Sequence, residues 1–211
     1  MKRILLLTIM VFVSAIANAK GAEYKITIQN LTKGQPITPA VAVAHKPGFK
    51  IFSLGEKVSD GLAAQAKDGM TDLLVTELNS QKRVSSLATG DGVVLPGQTT
   101  SLTLTADSKS LLSLTAMLAR TNDALVAGRN FRLPRRKGVS VSYALRVYDA
   151  GAEANTESCE HIPAPPCGNP GQGPAGEGFL HSHPGVYGIQ DLEVLRDSFG
   201  RIAAKVTITK M

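Results

Sequence analysis

The sequence has no apolar run long enough to cross a bilayer, only two cysteines, no tryptophan and no strong charge imbalance. Each shortage removes a class of protein. The longest apolar stretch, residues 4–17, falls below the roughly 18 residues a spanning helix needs. It follows Lys2 and Arg3 and runs into Ala17-Asn18-Ala19. A basic start, a short apolar core and a small-x-small site predict a cleavable export signal over residues 1–19, leaving a single domain over 20–211 with no transmembrane segment. The mature chain keeps 21 basic against 17 acidic residues, a net charge of +4. That is too even for a nucleic-acid binder, which concentrates Lys and Arg on one face. The densest basic stretch, "RNFRLPRRKG" with Arg129, Arg132, Arg135, Arg136 and Lys137, reads as a solvated loop.

With only Cys159 and Cys167 present, no four-thiolate metal set can form. In an exported chain an oxidising compartment favours a disulfide between them; two free thiols or a metal pair are the alternatives. No Ser/His/Asp or Cys/His set suggests nucleophilic catalysis, and there is no internal repeat. The expected location is periplasmic or secreted.

What the chain does have is alternation. "AEYKITIQNLT" places Tyr24, Ile26 and Ile28 on one side and Lys25, Thr27 and Gln29 on the other, the period of a half-buried strand. "PAVAVAHK" is a second strand candidate. "SLTLTADS" turns Leu102 and Leu104 inward, "VSVSYALRVYDAG" aligns Val139, Val141, Tyr143, Leu145 and Val147, and "RIAAKVTITKM" aligns Ile202, Ala204, Val206 and Ile208. "LLSLTAMLAR" suits a strand buried on both sides, with a helix left open by periodicity alone. Between these, "SDGLAAQAKDG" and "TDLLVTELNSQ" read as helices capped by Ser59 and Thr71. Several short strands with one helical excursion predict a mainly β fold, an antiparallel β-sandwich with a short helical insertion. The Pro- and Gly-rich residues 150–178 lack periodicity, and a loop this long inside a compact domain is usually functional or mobile.

"EGFLHSHPGVYG", residues 177–188, is similar in four residues, His181-Ser182-His183-Pro184, to the metal motif of the JAMM zinc isopeptidases. A catalytic zinc takes three protein ligands and an open water position. In that family a Ser follows the second His by eight residues and a ligand Asp by eleven; here these positions hold Asp191 and Val194, and valine cannot coordinate zinc. Asp191 or Glu193 in a shifted register would be needed to rescue a zinc hydrolase built on His181 and His183. On a strand, a His-x-His pair simply places two rings on one face.

Three stretches line up in order with another family. "YKITIQNLTKGQPITPAVAVAHKPGFKIFSLGEKVSDGLAAQAKDG", "SLTAMLARTNDALVAG" and "YDAGAEANTE", followed by "EGFLHSHPGVYGIQDL", resemble bacterial spondin-N domain proteins, related to the N-terminal domain of F-spondin and mindin. The resemblance implies a β-sandwich similar to calcium-dependent phospholipid-binding domains, with calcium held between loops at one end by Asp123, Asp149 and Glu153. Clustered carboxylates in adjacent loops suit a hard cation. Gly151 would serve the tight turn. Leu125 stands where the family favours an aromatic, and Glu153 replaces an Asp. The rival reading of Asp123 and Asp149 is that they cap turns at strand ends. The function implied is a non-enzymatic binding or adhesion module whose partner is an unknown protein or cell-surface ligand.

Overall fold

A computed structural model describes residues 21–169 and 172–211. The export signal expected over residues 1–19 lies outside them. The chain is mainly β, antiparallel, with short helices. Its strands are β1 (Ala22–Asn30), β2 (Val41–His45), β3 (Val84–Thr89), β4 (Thr99–Ala106), β5 (Leu111–Met117), β6 (Ala124–Arg132), β7 (Ser140–Asp149), β8 (His181–Ser182) and β9 (Ile202–Lys210). Helices α1 (Asp60–Asp68) and α2 (Asp72–Asn79) sit between β2 and β3, and a single turn, α3 (Val194–Asp197), precedes β9.

The strands hydrogen-bond in the order β3-β2-β5-β6-β7-β9-β1-β4, with β8 added to β7. This path curls until its ends approach, where the Ser86 hydroxyl on β3 donates to the Thr105 carbonyl on β4. The fold is therefore a sandwich-like, nearly closed barrel made from one continuous sheet. Inside lie Tyr24, Ile26 and Ile28 of β1, Leu102 and Leu104 of β4, Leu145 of β7, and Val206 and Ile208 of β9. These are the alternating positions expected from the sequence.

β2 and β5 are buried on both faces, and the strand reading of "LLSLTAMLAR" holds over Leu111–Met117. Ala42, Ala44, Leu112 and Leu114 face the barrel interior, while Val41 and Val43 face a second core with Leu62 of α1 and Leu74 and Leu78 of α2. Full burial of each such leucine stabilises by about 1.5–3 kcal/mol. The polar group this arrangement buries is satisfied: Gln65 on α1 accepts from the Thr115 hydroxyl at 2.7 Å and donates to the Thr115 carbonyl at 3.2 Å. Ser59 caps α1 by accepting from the Leu62 N–H, whereas Thr71 precedes α2 without a side-chain capping bond.

Two inward assignments fail at strand ends. Val139 precedes β7 and is exposed. Ile202 is also exposed, because the β7–β9 register shifts between Leu145 and Arg146: Leu145 pairs with Ala204 and Arg146 with Ile202. The extra residue, Ala203, is buried beside Ala204, and one inserted residue reverses the facing of everything before it.

Candidate metal centre

The topology brings three chemically active residues to one end of the barrel. β6 and β7 are antiparallel neighbours in which Ala124 pairs with Asp149, so Asp123 stands just before β6 beside the last residue of β7. β8 pairs with the same end of β7, Asp149 opposite His181. The turn before β6 is fixed by Thr121, whose hydroxyl donates to the Leu118 carbonyl and accepts from the Ala124 N–H.

Both aspartates organise the loop after β7. Asp123 Oδ2 accepts from the N–H groups of Ala152 at 2.7 Å and Glu153 at 3.0 Å. Asp149 Oδ1 accepts from the Gly151 N–H at 2.8 Å, and its Oδ2 from the Asn155 amide at 2.5 Å. The turn between them needs glycine: Gly151 has φ +63°, and a Cβ there would lie 2.3 Å from the Phe179 carbonyl oxygen. Turn capping is thus part of what both aspartates do, yet it leaves buried polar atoms unused.

Asp123 Oδ1 is fully buried without a hydrogen-bond partner. Burial, and then the charge of nearby Asp149, push the Asp123 carboxyl up to about 7. Among the described residues, no Lys or Arg forms an ion pair with either carboxylate. A cation beside Asp123 would offset the repulsion that Asp149 exerts on it.

Two imidazoles close the site, His181 on β8 and His183 just after it. His181 Nδ1 lies 3.1 Å from the Ser182 carbonyl, which can only accept, so Nδ1 carries the hydrogen and Nε2 is left with its lone pair in the neutral ring. That Nε2 is buried, unpartnered, 3.6 Å from Asp149 Oδ1 and 3.4 Å from Glu177 Oε2. Burial opposes protonation of His181, but the Ser182 carbonyl and the charges of Asp149 and Glu177 outweigh it and hold its pKa above the usual histidine value. His183 is the reverse. Its Nδ1 accepts from the Gly185 N–H at 2.9 Å, so its unpartnered Nε2 bears the hydrogen, 4.0 Å from Asp149 Oδ2. Burial against Phe199 takes its pKa down to about 4.

The structure gathers Asp149, Glu177 and His181 so that one ligand atom from each lies within 4.8 Å of the others. Asp123 joins them through Asp149. Glu153 is not one of these three; its Oε1 accepts from the Gly173 N–H at 2.8 Å. Of the two carboxylates considered for a shifted zinc register, Asp191 accepts from the Cys159 N–H and Glu193 pairs with Arg196. Glu177 was not singled out from the sequence; the available signal was a carboxylate four residues before His181, brought round by the turn at Gly178. Glu157 was missed as well. It is buried at φ +58°, and its carboxylate accepts from the N–H groups of Tyr187 and Ile189, tying residues 184–191 to the site.

Nearby, Cys159 and Cys167 form the expected disulfide, with Cα atoms 4.7 Å apart. In the basic stretch, Arg129 donates to the Phe52 carbonyl and lies over the Phe52 ring, while Arg132, Arg135, Arg136 and Lys137 are exposed. Among the described residues no helix is long and apolar enough to cross a membrane.

No curated protein matches the chain. The family model described as Spondin_N matches residues 32–168, a span that includes Asp123, Asp149, Glu153 and both cysteines and stops short of Glu177, His181 and His183. With more than half of its length matched, the chain belongs to the Spondin_N family, the spondin N-terminal domain.

Proposed function

We propose that this chain is an exported, non-enzymatic binding module of the adhesion type, whose loops at the Asp149 end of the barrel hold calcium and present a surface to a protein or cell-surface ligand. Membership of the spondin family supports the module class, and the Cys159–Cys167 disulfide supports an oxidising location. The observation that carries the cation is the buried pair Asp123 and Asp149, with Asp123 Oδ1 left unpartnered.

Calcium takes six to eight oxygens from carboxylates, carbonyls and water. Asp123 Oδ1 and the Asp149 carboxylate are the protein oxygens at hand; Glu153, the third residue the resemblance implies, has Oε2 free of the bond that Gly173 makes to Oε1. A cation there would neutralise the pair and join residues 118–123 to 149–157, stiffening the loops that a partner would meet. Hydrolysis by a zinc held on His181 and His183 is disfavoured by the His183 tautomer, whose Nε2 lone pair is occupied by its hydrogen.

Thermal unfolding of the mature chain in EDTA and then with calcium tests this reading. A native-state ligand at a hundred times its Kd adds about 2.7 kcal/mol, a rise of roughly 5–10 °C at this chain length. The rise is expected in wild type and absent in Asp149→Ala; a wild type indifferent to calcium would refute the site.

A further inference from the structure

His181 brings a nitrogen ligand to a place where calcium needs only oxygen. Its tautomer is set by the backbone: the Ser182 carbonyl takes the Nδ1 hydrogen and leaves the Nε2 lone pair facing two carboxylates. A ring nitrogen freed in this way, with the other nitrogen donating to a carbonyl, is the usual disposition of a metal-bound histidine. The spacing fits. Ligands about 2.1 Å from a tetrahedral ion are separated by about 3.4 Å, and His181 Nε2 lies 3.4 Å from Glu177 Oε2 and 3.6 Å from Asp149 Oδ1. A cation at this point would take the place of the proton that pairs a charged His181 with the same two carboxylates.

A second, independent feature faces the same spot. The His183 side chain is only 2% exposed, and its Nε2 has no hydrogen-bond partner while it points toward Asp149 Oδ2 at 4.0 Å.

We propose that Asp149 Oδ1, Glu177 Oε2 and His181 Nε2 form a site for a borderline divalent transition cation of the zinc class. Mixed imidazole and carboxylate ligands suit such ions, whereas calcium and magnesium favour oxygen alone. Three protein ligands leave one position of a four-coordinate ion for water or for a donor from a bound partner. Glu177 is exposed, so that position is reached from solvent. Two of the three ligands lie beyond residues 32–168, so the site is an addition that this chain's C-terminal segment makes to the matched spondin region. It shares Asp149 with the proposed calcium site but does not depend on it.

The test uses the mature chain stripped of metal, titrated with cobalt(II) and then zinc. One cobalt per chain is expected, with the visible absorption of a four-coordinate ion, displaced by zinc. Those bands should vanish in His181→Gln and in Glu177→Gln and persist in His161→Gln. The exposed Glu177 keeps the test valid even if His181→Gln folds poorly. Failure of wild type to take up cobalt or zinc, or bands unchanged in both ligand variants, would overturn the site. A calcium response that survives His181→Gln in a protein that binds no cobalt would sink this inference and leave the calcium reading intact. Cobalt binding without any calcium effect would sink the calcium reading alone.

Discussion

Replacing Gly151 by alanine should be among the most damaging single changes at the loop end of the barrel. Two costs add. The φ of +63° places the residue in the left-handed region, which costs an L-residue about 1–2 kcal/mol. The new Cβ would then sit 2.3 Å from the Phe179 carbonyl oxygen and 2.7 Å from its nitrogen. These are backbone atoms of the segment that carries Glu177 and His181 to Asp149, and they cannot rotate away. Forcing such contacts apart costs about 1–3 kcal/mol more. The total of about 2–5 kcal/mol corresponds to a fall of roughly 10 °C in Tm at this chain length. Gly178 is the internal control: its φ is +81° but nothing lies within 4 Å of a Cβ there, so Gly178→Ala should show only the conformational cost, about 1–2 kcal/mol. Thermal unfolding of both variants in EDTA separates strain from contact. Equal shifts, or a smaller one for Gly151→Ala, would refute the claim that close approach of residues 151 and 179 holds the site together.

Asp123→Asn should stabilise the metal-free protein by about 1 kcal/mol, because the amide turns carboxylate repulsion toward Asp149 into a hydrogen bond, while abolishing any calcium-induced rise in Tm; destabilisation in EDTA would contradict this. Burial lowers the pKa of His45, although its bond to the Lys46 carbonyl opposes the shift. The unfolded chain therefore takes up this proton first as pH falls below the ordinary value of 6.5, so the contribution is full above that value and is lost on acidification toward the lower folded pKa. A His45→Gln chain, tracked by urea unfolding from pH 7.5 to 5, should show a shallower decline than wild type. Asp197 is buried, accepts from Arg196 at 2.7 Å and lies 3.6 Å from Arg120. In Asp197→Ala, Arg120 and the Glu193 N–H lose this partner while Arg196 keeps Glu193, and the cost by chemical denaturation should be about 1–3 kcal/mol.

Much of the barrel was legible because half-buried strands write their facing into a period of two, as β1 and β4 do. β2 and β5 were harder. With helices on one face and the barrel interior on the other, every residue but Leu111 is buried and no period distinguishes strand from helix. The bulge at Ala203 left no mark in the pattern of Ile202, Ala204, Val206 and Ile208, since it depends on the register against β7. The closure of the sheet between β3 and β4 is equally non-local.

At the site, Asp123 and Asp149 could be read as partners because both occur in loops that follow core strands and carry the family resemblance. The histidine pair pointed to the right segment but not to its division of labour. Which ring nitrogen is free is decided by the Ser182 carbonyl and the Gly185 N–H, whose positions no side-chain motif encodes. The meeting of His181 with Asp149 is a strand pairing across more than thirty residues of aperiodic chain. Glu177 reaches the same spot across a bend in which Gly178 has a positive φ, a backbone feature that no side-chain motif encodes.

That a cation sits on Asp149, between the loop that precedes β6, the loop that follows β7, and β8, is tested most directly by crystal structures of residues 20–211 grown with calcium and with zinc, using anomalous scattering to locate the ions. A calcium peak is expected within about 2.6 Å of the Asp149 and Asp123 carboxylates, and a zinc peak within about 2.2 Å of His181 Nε2, Asp149 and Glu177. Density showing only water around Asp149 in both crystals would contradict it.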